Sequence, residues 1–169
     1  ILVGGAFVTY NGLAAVRLAR LDSTTGALDT AFNARLGTNV NSIVTALAVQ
    51  PTSNRILVGG AFSTLNGIPR SALARLDSLG NLDASVNAAC RTAGAVFAVT
   101  PIAGGKLMIG GTFSHVNDIP ANNIAMIAAN GNVDPSFVSG TGFSSTVRAI
   151  IVQRESHFVI GGTFTAYNG

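Results

Sequence analysis

The chain has 169 residues, 48% of them apolar and only 10% charged, with 20 glycines and a net charge of +3. That composition excludes a disordered tail, and glycines without a period of three exclude a collagen-like rod. Ten scattered Lys and Arg side chains do not make the dense basic footprint that nucleic acid requires, and no apolar run is long enough for a membrane-spanning helix. The single cysteine, Cys90, excludes an intrachain disulfide and a cysteine-based metal cluster.

In chain order, residues 1–7 read Ile-Leu-Val-Gly-Gly-Ala-Phe and predict a strand. Both alternating sets, Ile1/Val3/Gly5/Phe7 and Leu2/Gly4/Ala6, are apolar or small. A sheet wetted on one side should alternate polar with apolar, so this strand is expected to bury both faces. Asn11-Gly12 marks a tight turn. A third strand is expected over 16–22, with Ala19 and Leu21 facing a neighbour and Arg20 and Asp22 pointing outward. The Ala-rich stretch 13–21 is the best helical rival, but its counterparts keep a turn–strand–turn context. A short, weak fourth strand is expected near 28–33, and a hydrophobic strand over 43–49. Pro51-Thr52-Ser53-Asn54 then turns the chain into Ile56–Phe62, which repeats residues 1–7 without change.

The repetition continues. Residues 107–113 read LMIGGTF and 158–164 read FVIGGTF, so the double-glycine strand recurs at spacings of 55, 51 and 51 residues. Asn66-Gly67, Asn117-Asp118 and Asn168-Gly169 follow it, as Asn11-Gly12 does. Leu18–Asp22 returns as Leu73–Asp77, where Ala74 and Leu76 are again expected to face a neighbour and Arg75 and Asp77 to point outward, and drifts to Ile124–Ala128. A Gly-x-Leu/Val-Asp turn ends at Asp29, Asp83 and Asp134. Ala46–Gln50 aligns with Val96–Thr100 and Ala149–Gln153. Weak fourth strands are expected again near 82–87 and 133–138.

A repeat of this length with four short strands is a propeller blade. The expected fold is all-β, a partial β-propeller with about three four-stranded blades and one additional strand. The whole of 1–169 is expected to be a fragment of a β-propeller, with repeat periods 1–55, 56–106 and 107–157 and a partial repeat 158–169. Closure by association of identical chains is the second possibility; a prism, an open solenoid or another β repeat is the third. The residues expected to carry the repeat are Gly4, Gly5, Phe7, Gly59, Gly60, Phe62, Gly110, Gly111, Phe113, Gly161, Gly162 and Phe164. Glycine inside a strand gives up side-chain packing, so its recurrence points to a bulge or to close approach of another backbone.

The blocks ILVGGAFSTLNG and ALARLDSLGNLD, with Val49-Gln50-Pro51, make the chain resemble the delta-60 repeat family of bacterial β-propeller-like proteins. The resemblance spans essentially the whole sequence. It weakens at 87–94, around Cys90-Arg91, and at Met126-Ile127-Ala128, where Arg-Leu-Asp is lost. It implies a multi-blade β structure in large exported or surface-associated proteins, and no reaction that transfers to particular residues.

Sites of chemistry are sparse. The double glycines lack the Lys and the helix of a phosphate loop. Asp22, Asp29, Asp77, Asp83 and Asp134 sit at recurrent turns, where Asp commonly bonds its own backbone; a calcium site is the rival reading. His115 and His157 form no close metal motif, and one shared site would need Asp118 or Glu155. Arg55, Lys106 and His157 recur just before the double-glycine strand and suggest a basic edge, with a polyanion as its rival partner. Cys90 has no nearby His. Tyr10 and Tyr167 occupy equivalent positions and suggest a sugar- or protein-binding rim, or packing beside the Asn-Gly turns.

The expected function is a noncatalytic structural or protein-interaction scaffold with no cofactor. Its expected partners are the remaining blades of a longer chain or assembly proteins. The expected location is extracellular or on a bacterial cell surface, although no targeting segment is visible. The alternatives are a carbohydrate-binding propeller and a fragment of a propeller lyase or hydrolase.

Overall fold

A computed structural model describes residues 1–37, 40–87, 94–154 and 157–169. In chain order its elements are β1 (Leu2–Gly4), β2 (Thr9–Tyr10), β3 (Leu13–Ala14), β4 (Leu18–Arg20), α1 (Thr30–Arg35), β5 (Val44–Val49), β6 (Ile56–Gly60), β7 (Thr64–Leu65), β8 (Ile68–Pro69), β9 (Leu73–Leu76) and α2 (Ala84–Asn87). They continue with β10 (Val96–Pro101), β11 (Leu107–Gly111), β12 (His115–Val116), β13 (Ile119–Pro120), β14 (Ile124–Ile127), β15 (Val147–Arg154) and β16 (His157–Gly162).

The double-glycine strand organises each repeat. It is β1, β6, β11 and β16, and it pairs antiparallel in the sheets β1–β4, β5–β6–β9, β10–β11–β14 and β15–β16. Val58 lies opposite Leu47 on one side and Ala74 on the other, and Ile109 opposite Val99 and Ala125. Both middle strands, β6 and β11, are buried along their whole length. That is the outcome expected of strands with no polar face, because only a neighbour on each side keeps such a strand from water.

The neighbours are the other sheets, stacked face to face. Leu2 and Leu18 pack with Val44, Leu47 and Val58. Ala46, Ala48 and Leu57 pack with Val96, Val99 and Ile109. Ala98, Met108 and Ile124 pack with Val147 and Ile150. The result is an all-β, open, unclosed, propeller-like arrangement of small antiparallel sheets.

Two-residue hairpins β2–β3, β7–β8 and β12–β13 hang from this stack. Their turns are Asn11-Gly12, Asn66-Gly67 and Asn117-Asp118, with φ positive at both residues of each. This is the geometry whose twist matches a hairpin, and it is the reason for the Asn-Gly pairs.

Among the described residues, the expected fourth strands near 28–33, 82–87 and 133–138 do not form. Leu28, Leu82 and Val133 each make a single bridge to the third strand, at Leu21, Leu76 and Ile127. The next residue, an aspartate, then ends the strand. The Asp29 carboxylate accepts from Phe32 N and caps α1, and the Asp83 carboxylate accepts from Ser85 N at the start of α2. A side chain that caps a helix has turned the backbone out of the sheet. In the third repeat Asp134 accepts from Ser136 N in the same manner, but the segment from Pro135 to Val138 forms no helix.

Candidate functional site

The repeated residues converge on the junctions between sheets. The first glycine of each pair faces the next sheet. A Cβ on Gly4 would lie 2.5 Å from Val44 Cγ1, one on Gly59 would lie 2.8 Å from Val96 Cγ1, and one on Gly110 would meet Val147 Cγ1 closer still. The glycine is thus a hole and the valine of the following sheet fills it.

The second glycine has a different task within its own sheet. A Cβ on Gly60, Gly111 or Gly162 would collide with the carbonyl oxygen of Ile43, Ala95 or Thr146 respectively. There the preceding strand enters, and its register slips by one residue between Val44 and Ala46, Val96 and Ala98, and Val147 and Ala149. A bulge brings backbone against backbone at that place. Gly5 meets only the Phe7 ring, at 3.3 Å. Phe62 and Phe113 are fully buried beside these glycines. Phe7 and Phe164 are half-buried, Phe164 with its ring centroid 4.3 Å from that of Phe143.

The observed register moves one alignment by two residues. Ala46, Ala98 and Ala149 stand opposite Gly59, Gly110 and Gly161, so the partner of Ala46 in the second interval is Ala98 and not Val96. The filling valines escaped the sequence reading for this reason. Their signal was present as Val-x-Ala at 44–46, 96–98 and 147–149.

Asp29, Asp83 and Asp134 are held by cations of the same sheet, from the third strand or from the turn that enters the double-glycine strand. Arg20 meets Asp29 at 2.8 Å, and its guanidinium lies 4.3 Å from the centroid of the Phe32 ring. Arg75 meets Asp83 at 2.9 Å and donates to Ser85 Oγ at 2.7 Å. Arg75 is only 2% exposed, which corrects the expectation that this side chain points outward: α2 and the Asp83 turn fold over it. Arg55 also reaches Asp83, at 3.4 Å. In the third repeat Met126 replaces the arginine and Lys106 takes the aspartate, 2.6 Å from Asp134 Oδ2. The expected basic edge is therefore built into the blades, at Arg55 and Lys106, as ion pairs.

These contacts account for the charge states. The bond from Lys106, then those from Ser136, bring the Asp134 carboxyl down to about 2. At Asp83 burial opposes ionisation, and the Ser85 bonds and the Arg75 charge outweigh it, leaving the carboxyl below its ordinary value. Asp22 is lowered by bonds from Thr25 and Thr24 in its own turn. At Asp77 bonds from Asn81 and Leu79 overcome the effect of burial. Turn-making and ion pairing thus occupy the carboxylates for which calcium was the rival reading, and no group of three metal-ligating side chains gathers among the described residues.

The tyrosines do not form a rim together. Tyr10 donates to the Gly26 carbonyl at 2.9 Å and packs against the buried cluster of Ala15, Ala19 and Leu21. Tyr167 is 46% exposed and lies against the Phe143 ring, centroids 4.6 Å apart. Leu65 and Val116, at the equivalent positions, are fully buried. The position is a packing position, and Tyr fills it by its ring. His115 Nδ1 is 2.9 Å from Ser114 Oγ, and His157 stands opposite Arg154 in the β15–β16 pair. Cys90, Arg91 and Glu155 lie outside the described residues.

An apolar cavity of about 440 Å³ lies at the outer edge of the first sheet, lined by Leu13, Leu18, Leu28, Leu36 and Asn33 among others. A second, of about 320 Å³, occupies the same place in the third repeat between Ile119, Ile124 and Phe137.

Repeated small sheets stacked through a glycine hole and a valine filler define a propeller-type repeat protein. The chain matches the family described as "Domain of unknown function (DUF5122) beta-propeller" over residues 1–32, 52–85 and 105–137, more than half of its length, and it belongs to that family. No curated protein matches it.

Proposed function

We propose that this chain is a noncatalytic scaffold that holds repeats in a row and presents their loops to protein partners. The observation that supports this reading is the way the recurrent chemistry is spent. Glycine and valine build the sheet junctions, and Arg20, Arg75, Arg55 and Lys106 bind aspartates at the edge of the sheets they flank. Loops on a rigid framework are where binding residues vary most freely.

The finer assignment follows the delta-60 resemblance: a segment of a longer propeller in an exported or cell-surface assembly of a bacterium, with further blades or assembly proteins as its partners. A carbohydrate-binding role is supported only by exposed Tyr167 on Phe143, and it lacks the second tyrosine that a rim would need. The test is a glycan screen combined with lyase and hydrolase substrate panels on the purified chain. The scaffold reading expects no saturable glycan binding and no turnover. Saturable binding of an oligosaccharide abolished by Tyr167→Ala, or turnover abolished by one acidic substitution, would replace it.

A further inference from the structure

We propose that the cavity between the first hairpin, β4 and α1 binds a small uncharged molecule, largely apolar, whose one hydrogen-bond acceptor is received by the side-chain amide of Asn33. This goes beyond the scaffold reading and does not rest on it.

The cavity holds about 440 Å³, within the range of about 300–1,000 Å³ that small-molecule sites occupy. Its walls come from three places. Leu13 lies on β3 with Ala15 just after it, Leu18 lies on β4, and Leu36 ends α1. Ala15, Leu18 and Leu36 are buried, so the wall is part of the packed interior, while Leu13 is half exposed where the cavity meets solvent.

The opening belongs to the outer edge of the repeat. The third repeat has a packed sheet on each side of it and keeps a cavity of about 320 Å³ in the same place. Leu13, Ile68 and Ile119 hold one position in the three hairpins, and they are 50%, 43% and 48% exposed. The first cavity is therefore open for the same reason as the others.

Asn33 gives the first cavity its chemistry. It lies on α1 and lines the cavity. Its Oδ1 accepts from Arg20 N at 3.3 Å, which orients the amide. Its Nδ2 is buried and has no hydrogen-bond partner. A buried donor left unpaired is costly, and a bound acceptor would recover that cost. Among the described residues no charged side chain lines the cavity. A charge brought into apolar surroundings without a partner is strongly disfavoured. The chemistry that fits is a ketone, ester or amide oxygen on a hydrocarbon body.

The other repeats do not offer this combination. In the third, Ala121 holds the place of Ala15, but Val138 holds the place of Asn33 and is 80% exposed. In the second, Asn87 holds the place of Asn33, but Arg70 holds the place of Ala15. Only the first repeat joins a small wall residue to a side-chain amide.

The test uses benzophenone, diphenylmethane and 4-benzoylbenzoate, which share two rings and differ in the carbonyl or the charge. Each is titrated into the whole chain, and the backbone amide resonances of residues 13–18 and 34–36 are followed. Benzophenone is expected to bind saturably and about tenfold more tightly than either of the others. Asn33→Asp keeps an oxygen for Arg20 N and removes the donor. It should weaken benzophenone about tenfold and leave diphenylmethane unchanged. Ala34→Trp, at an exposed position of the cavity wall, should block all three probes. The same spectra report whether each variant is folded, and Ala34→Trp carries the test if Asn33→Asp is not.

Absence of saturable benzophenone binding in the folded chain overturns the proposal. Equal affinity for diphenylmethane overturns it too, because the amide would then contribute nothing. So does benzophenone binding that either folded variant leaves unchanged, or shifts confined to Ile119 and Phe137 in the third repeat. Tightest binding of 4-benzoylbenzoate overturns the uncharged class.

Discussion

Lys106 Nζ lies 2.6 Å from Asp134 Oδ2, and it holds the place in its repeat that Arg55 holds one repeat earlier. Arg55 and Arg75 both approach Asp83. In the third repeat, Met126 has replaced the arginine of the strand, and the remaining cation keeps the aspartate ionised. The blade preserves a carboxylate with a cation on it, and it is indifferent to whether the cation comes from the third strand or from the turn before the double-glycine strand.

Acid sensitivity is one consequence. Asp134 titrates at about 2 in the folded chain and at about 4 when unfolded. Its contribution to stability is complete above about 4 and is lost as the pH falls through 2. The thermal midpoint should therefore fall between pH 4 and pH 2, less steeply in Asp134→Asn. Some slope should remain, because Asp22, Asp29, Asp77 and Asp83 are shifted in the same direction.

Arg75→Met should destabilise the chain by about 3 kcal/mol in denaturant unfolding, since it strips a buried partner from Asp83. The double variant Arg75→Met with Arg55→Lys copies the third repeat. It should be less damaging than Arg75→Met alone, because a lysine at position 55 can close on the carboxylate as Lys106 does. A double variant as unstable as the sum of its parts would show that the exchange needs more of the third repeat than these two residues.

The two glycine environments separate cleanly by substitution. Gly110→Ala places a methyl against Val147 and should cost about 1–3 kcal/mol by overpacking. Gly161→Ala enters open space and should be neutral or stabilising by about 0.5 kcal/mol, as alanine ordinarily is over glycine in a strand. Equal losses at both positions, measured by thermal unfolding, would contradict the hole-and-filler account.

The third hairpin is improvable. Asp118 has φ 65 where Gly12 and Gly67 stand in the first two hairpins. Asp118→Gly should raise stability by about 0.5 kcal/mol, the relief of left-handed strain less the entropy gained by the unfolded chain. The midpoint of thermal unfolding checks it.

Much of the architecture was legible in the residues alone. Apolar residues on both sides of Ile56–Gly60 announced a strand with two covered faces, and Asn66-Gly67 announced the turn after it. The fourth strand was misread. Phe32 and Val86 suit a strand as well as a helix, and only the carboxylates of Asp29 and Asp83 decide between them, by capping. Arg75 was misread for a related reason. Alternation along Leu73–Leu76 places it away from the sheet contact, and nothing in that alternation shows that α2 will cover it.

By itself the sequence determined the repeat, its strands and its turns, because pleat periodicity and left-handed turn residues are local requirements written at fixed spacing. Tertiary structure alone decided the partners. Which valine fills which glycine depends on a one-residue bulge that shifts the register, and which cation meets which aspartate depends on side chains converging from separate strands. Neither leaves a fixed spacing along the chain, because both are set by the distance between sheets.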